Sequence, residues 1–152
     1  MAKISTKRLQ KELSELQESC PVGCRIISAN NFEEWIIAIS VLGESVYEGE
    51  EFAIKFIFSA QYPIDSPQVT FVKSSIYTPP IHPHVYTNGH VCLSILGDGW
   101  SPVLKVASVC LSLQSMLASC KKKELPPDND SYVKRAPLNP KKTNWDYHDD
   151  DV

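Results

Sequence analysis

The sequence predicts an α+β fold in which an antiparallel β-meander lies between two amphipathic helices. Three observations carry that reading. Leucines recur at helical spacing near the start, and an apolar helical stripe returns after residue 102. Between them, residues 35–71 alternate β-branched and aromatic side chains with others at a period near two. Turn-forming residues separate those runs, as in strands joined by tight connections.

Taken in order, residues 5–18 read as a helix, with Leu9, Leu13 and Leu16 at i, i+4, i+7 and Ser5 or Thr6 as N-cap. Lys7 and Lys11 fall opposite the leucines and Arg8 beside them. Positive charge in a first turn opposes the helix dipole, so local stability does not explain it. A solvated basic face and a partner surface both fit. Cys20 and Cys24 flank Pro21-Val22-Gly23 and are read as loop residues. Trp35–Val41 is nearly all apolar, Phe52, Ile54, Phe56 and Phe58 alternate along the next run, and Val69 and Phe71 continue the pattern. Leu42-Gly43-Glu44-Ser45 and Tyr62-Pro63-Ile64-Asp65-Ser66-Pro67 supply the turns. Ser74 to Gly99 shows no sustained period, and a structureless run that long in a small domain is usually functional.

The second helix is expected to start with Ser101 as N-cap and Pro102 at its first position. Val103, Val106, Cys110, Leu113 and Leu117 form its buried stripe, supported by Val109 and Met116, and it ends near Cys120-Lys121-Lys122-Lys123. Residues 125–152 carry prolines, polar residues and an acidic end at Asp149-Asp150-Asp151, with no helical period. The expected division is a main body over 1–124 and an extended or mobile tail over 125–152 that belongs to the same domain. Packing of Trp145 and Tyr147 back on the domain is the alternative.

A chain of 152 residues fits one domain with a substantial core. A formal charge of −3 gives no argument for nucleic acid as main ligand, and no apolar run is long enough for a membrane span. The beginning is not a secretory signal, so the five cysteines are read as thiols in a reducing compartment, cytosolic or nuclear.

The chemistry concentrates in residues 82–92, His82-Pro83-His84-Val85-Tyr86-Thr87-Asn88-Gly89-His90-Val91-Cys92. Histidine and cysteine are the side chains most easily tuned to react near neutral pH. His82, His84, His90 and Cys92 could form a zinc set, but their i, i+2, i+8, i+10 spacing matches no usual paired-ligand pattern. A cysteine hydrolase would use Cys92 as nucleophile and one histidine as base, yet no local signature of such enzymes is present. The third reading is acyl transfer through Cys92. Cys110 better fits a small buried hydrophobe.

From Leu9 to about Leu117 the chain resembles the ubiquitin-conjugating enzymes. The matching pieces are Lys11-Glu12-Leu13, Tyr47-Glu48-Gly49, Tyr62-Pro63, Ser66-Pro67, His82-Pro83, Asn88-Gly89, Val91-Cys92-Leu93, Ile95-Leu96 and Trp100-Ser101-Pro102. Each is weak alone; together, in this order and spacing, they are specific. The resemblance implies the ubiquitin-conjugating fold, with a four-stranded antiparallel meander, an N-terminal helix, a central helix and an atypical tail. It implies Cys92 as the residue that takes ubiquitin as a thioester from an activating enzyme. ATP is then used by the activating enzyme, and no cofactor or metal by this chain.

By the same resemblance His82 and Pro83 shape the active-site loop, with Ser94 and Trp100 completing it. His84 stands where the family usually has asparagine, and either supplies an imidazole donor or base or is a loop histidine packed on Tyr86. Asn88 is a turn residue or a substitute amide donor, the turn being preferred. Lys7, Arg8 and Lys11 match the family's basic first-helix face toward the activating enzyme and ligases. Ile64 and Pro102-Val103 match its two loops toward RING or U-box ligases. A non-catalytic ubiquitin-binding relative is the rival of another class; the intact Cys92 argues against it.

The order His-Pro-His-Val-Tyr-x-Asn-Gly-His-x-Cys-Leu-Ser and the unusual tail resemble the W-type subfamily, associated with modifying a substrate's own N-terminal α-amino group. Elementary chemistry agrees. An α-amine has a pKa of ~7.7–8.0 against ~10.4 for lysine, so its neutral fraction near pH 7 is larger by a few hundred-fold. Lower basicity costs some nucleophilicity, by analogy with a slope of ~0.4–0.5 for thiols, which leaves roughly tens-fold. A lysine-directed site needs carboxylates to place the ammonium, and Ser94 stands where the family often has aspartate. Asp128 is a candidate match for a second family acid. The expected substrates are proteins with flexible N-termini, and lysine remains the alternative acceptor.

Overall fold

In the computed structural model the fold is described for residues 3–145. Helix α1 (Lys3–Glu18) leads into strands β1 (Cys24–Ser28), β2 (Glu34–Ser40), β3 (Glu51–Ile57) and β4 (Gln68–Phe71). A 3₁₀ turn at Ser94–Leu96 precedes α2 (Val106–Ser119), and α3 (Asn129–Arg135) and a 3₁₀ turn at Pro140–Lys142 follow. The strands form one antiparallel sheet in chain order β1-β2-β3-β4, the meander expected.

Register explains the core. Trp35 faces Phe56, Ile37 faces Ile54 and Ile39 faces Phe52, so alternate residues of β2 and β3 present one apolar face. Val106, Val109, Cys110, Leu113 and Leu117 of α2 complete that core, with Leu9 and Leu16 of α1.

Five expectations are corrected. Cys24 is not a loop residue but opens β1, whose residues alternate between half-buried and exposed although the run Cys-Arg-Ile-Ile-Ser shows no clean apolar–polar alternation. Ser5 lies inside α1, buried, and caps nothing at its start. Ser101 and Pro102 do not begin α2. The Ser101 carbonyl and hydroxyl accept the Leu104 and Val103 N–H groups, closing a single turn. The chain then re-extends at Lys105, and α2 starts at Val106, whose N–H is bound by the Glu12 carboxylate of α1 at 2.8 Å. Val103 is accordingly not on the buried stripe but 81 % exposed. Residues 125–145 are not an extended tail, since α3 and the following turn pack on the domain. Trp145 joins that packing; Tyr147 and Asp149–Asp151 lie outside the described residues.

Candidate active site

Cys92 is mostly buried, between the core residues Val91 and Leu93. Its N–H donates to the His84 carbonyl at 3.0 Å, so the residue at the asparagine position holds the cysteine through the main chain. Residues 85–91 make a small antiparallel loop. Val85 pairs with Val91, Tyr86 N–H donates to the His90 carbonyl, and Gly89 N–H to the Tyr86 carbonyl. The Gly89 carbonyl accepts from Phe71 N–H, tying the loop to β4. Gly89 has φ +92°, and a Cβ there would stand 2.2 Å from the Phe71 oxygen, so only glycine fits. Asn88 Oδ1 accepts from His90 N–H at 3.1 Å, an Asx turn that fits the turn role expected for Asn88.

His82 pins the loop to α2. Its Nδ1 accepts the His84 N–H at 2.9 Å, which leaves Nε2–H to donate to the Met116 carbonyl at 3.3 Å. Burial, then the neighbouring His84, lowers its pKa to about 4, so the ring is neutral. Pro83 occupies the turn in which the His82 carbonyl accepts Val85 N–H. The His84 ring packs edge-on against His82 at 5.4 Å. The Ser94 carbonyl accepts from both Gly97 and Gly99 N–H, bending the chain toward Trp100. Trp100 Nε1–H donates to the Pro63 carbonyl at 2.9 Å.

The C-terminal segment builds the other wall. Tyr132 is 3 % exposed, and its hydroxyl lies 2.7 Å from His90 Nδ1 and 2.8 Å from Thr143 Oγ1. The His90 ring also bonds the Leu138 carbonyl, and burial lowers its pKa. Tyr86 stacks on Tyr132 at 4.0 Å and donates to Asp128 Oδ1 at 3.0 Å. Asn129 exchanges hydrogen bonds with Thr87. Burial raises the pKa of both tyrosine hydroxyls. A groove of about 420 Å³ runs alongside, between Ile64–Pro67, Trp100 and Pro140–Trp145, with Val91 and Leu93 in its lining. Sequence reasoning missed Tyr132 and Asn129. The available signal was Asp128-Asn129 before a turn ending in Lys134-Arg135.

Among the described residues no three or more His, Cys, Asp or Glu side chains converge on a metal position. All five cysteines are free thiols, and Cys110 is the buried hydrophobe expected.

Of the residues expected to face partners, Lys7 and Lys11 are exposed, as are Ile64 (72 %), Pro102 and Val103. Arg8 differs. Its guanidinium is bonded to Glu12 and to the Pro102 and Leu104 carbonyls.

The family model for ubiquitin-conjugating enzymes matches residues 8–144. The chain belongs to the ubiquitin-conjugating enzyme family. It is 54% identical over 147 residues to the probable ubiquitin-conjugating enzyme E2 W-A of Danio rerio, covering 95% of each chain. It is 51% identical over 148 residues to the probable ubiquitin-conjugating enzyme E2 W of Dictyostelium discoideum, covering 96% of each. The solved structure of the ubiquitin-conjugating enzyme UbcA1 from Agrocybe aegerita superimposes with a TM-score of 0.89 at 57% identity, over 91% of this chain and 99% of that one. Within the ubiquitin-conjugating enzymes its likeness is thus to the W type. As a ubiquitin-conjugating enzyme it is a transferase that works with ubiquitin, an activating enzyme and ligases. Among the described residues no helix is long and apolar enough to cross a membrane.

Proposed function

We propose that this ubiquitin-conjugating enzyme carries ubiquitin as a thioester on Cys92 and passes it to the N-terminal α-amino group of substrate proteins. In the first step the Cys92 thiolate attacks the acyl carbon held by the activating enzyme. A new S–C bond forms, and the activating enzyme's thiolate leaves. In the second step a neutral amine attacks that carbon, an N–C bond forms and Cys92 departs as thiolate, the amine's proton passing to a base. ATP is spent by the activating enzyme; the transfer itself calls for no cofactor.

The observation that carries the α-amine reading is the chemistry around the thiol. Residues 82–94 contain no aspartate or glutamate. Asp128, the carboxylate that the C-terminal segment brings to this rim, already accepts from Tyr86 and lies 4.0 Å from Arg135. A segment without carboxylate of its own does little to gather or deprotonate a lysine ammonium, whereas an α-amine is substantially neutral unaided. The groove lined by Val91 and Leu93, whose own carboxylates are Asp65 and Asp98, would receive the flexible residues that follow the reacting amine. His84 holds Cys92 through its carbonyl, and we assign its ring the role of donor or base. We assign ligase docking to Ile64, Pro102 and Val103, with Lys7 and Lys11 facing the activating enzyme.

Single-turnover discharge tests the acceptor. Cys92 is charged with activating enzyme, ATP and ubiquitin, and the thioester is then offered free lysine or a lysine-free peptide with a free α-amine. The expected result is discharge to the peptide and little to lysine. Equal or preferential discharge to lysine overturns the α-amine reading, and Cys92→Ala that still charges overturns the thioester assignment.

A further inference from the structure

Three partner-facing elements meet at one buried cluster: helix α1, the turn bearing Ile64 and the turn bearing Pro102-Val103. Glu12 of α1 is 2 % exposed yet charged, and each oxygen is used. Oε1 accepts Val106 N–H at 2.8 Å; Oε2 accepts Tyr62 O–H at 2.6 Å and Arg8 Nε–H at 2.9 Å. Arg8 spends its other two nitrogens on the Pro102 and Leu104 carbonyls, at 2.8 and 2.7 Å, with its carbon 5.8 Å above the Tyr62 ring. Trp100 closes the circuit through the Pro63 carbonyl. Each partner of the pair thus touches a different docking element, while Ile64 and Val103 beyond it point outward with no apolar cover.

Apolar packing would hold these turns together without fixing their relative angle, because contacts between methyl groups are non-directional. A guanidinium fork and a carboxylate are directional, and a planar fork binding two carbonyls and a carboxylate admits one placement. We propose that Arg8 and Glu12 are positioning residues that hold the Ile64 and Pro102-Val103 turns in register with α1, and that Arg8 acts as an internal strut rather than as a contact charge. This rests on the docking reading given above. The pair matters for steps that need a partner protein and not for discharge of a preformed thioester to a small amine.

The test uses the full chain, confirmed folded by circular dichroism and thermal melting. Glu12→Gln keeps the volume but sets an amide N–H₂ against Arg8. Ligase-stimulated discharge should fall about tenfold while unstimulated discharge to peptide is unchanged. Arg8→Lys keeps the charge and loses the fork. It should raise the KM for charging by the activating enzyme and lower ligase stimulation by a similar factor, with the kcat of charging retained. If Glu12→Gln does not fold, Tyr62→Phe removes one bond to the carboxylate and should lower stimulation about threefold. Wild-type behaviour of Arg8→Lys alongside loss in Arg8→Ala makes Arg8 a contact charge and overturns the inference. So does equal slowing of unstimulated discharge, which would mark a general structural defect. Ile64→Asp separates the two levels. If it leaves stimulation intact, the docking reading falls and this inference with it. If it abolishes stimulation while Glu12→Gln and Arg8→Lys keep it, this inference falls alone.

Discussion

The loop around Cys92 and the junction beneath the partner-facing turns solve similar problems with opposite materials. Both must hold irregular backbone in one shape against a regular sheet. The junction does it with buried charge, Arg8 against Glu12, each satisfied by groups from distant segments. The catalytic loop does it with neutral groups: two histidines kept below their ordinary pKa by burial, two tyrosine hydroxyls, and glycine at a left-handed turn. The difference teaches that the loop is held by neutral hydrogen bonds and close packing where the junction uses a buried ion pair, with the Asp128 carboxylate meeting the loop only through Tyr86. Under the function proposed above a thioester and a neutral amine would meet there, and an α-amine needs little electrostatic sorting.

The largest effect expected on the neutral side comes from Gly89. Gly89→Ala adds left-handed strain and drives a methyl into the Phe71 carbonyl, so stability should fall by about 4 kcal/mol, near the upper end for single substitutions. Gly49, at φ +82° with nothing near its Cβ position, is the control. Gly49→Ala should cost only the strain, about 1–2 kcal/mol. Urea unfolding of both variants measures the difference, and equal losses would show that the loop yields at β4 and is not rigidly docked there.

A second expectation concerns pH. The unfolded chain protonates His82 near the ordinary 6.5, the folded chain only near about 4. The unfolded state therefore binds more protons in that interval, and stability rises with pH across it. It should be full above about pH 6.5 and lost progressively as pH falls toward 4, by up to about 3 kcal/mol from this one ring at 1.36 kcal/mol per unit. Urea midpoints at pH 7, 6, 5 and 4 report the slope, and His82→Gln should flatten it. An unchanged slope in that variant would assign the acid sensitivity to His90 or to carboxylates, and the loop's neutrality would not depend on His82.

Much of this was legible before any coordinates. The alternation along β2 and β3, the α2 stripe from Val106 to Leu117 and the Cys92 motif are local patterns, and local patterns survive folding. What stayed hidden was long-range. The first N–H of α2, that of Val106, is bound by Glu12, 94 residues away, so Ser101-Pro102 looked like the better start. Arg8 read as surface charge because its carbonyl partners lie 94 and 96 positions on. Helix α3 has seven residues, too few to be stable alone, and exists because Tyr132 and Asn129 bind the loop over 86–90.

That dependence supplies the smallest and most specific expectation. Tyr132 contributes in two ways, by burying its ring against Tyr86 and Trp145 and by bridging His90 Nδ1 to Thr143 Oγ1. Tyr132→Phe removes only the bridge. The ring stays, so the loss should be about 1–2 kcal/mol, the cost of leaving buried polar partners unpaired. Amide exchange over 129–135 should speed up more than exchange in β2 and β3, because local opening of α3 no longer breaks the hydrogen bond from residue 132 to His90, only those of Asn129 to Thr87. If exchange in α3 is unchanged, stacking alone holds the segment down, and the neutral hydrogen-bond chain is not what distinguishes this wall from the charged junction. If exchange rises equally everywhere, α3 opens only with the whole domain and is part of its cooperative core.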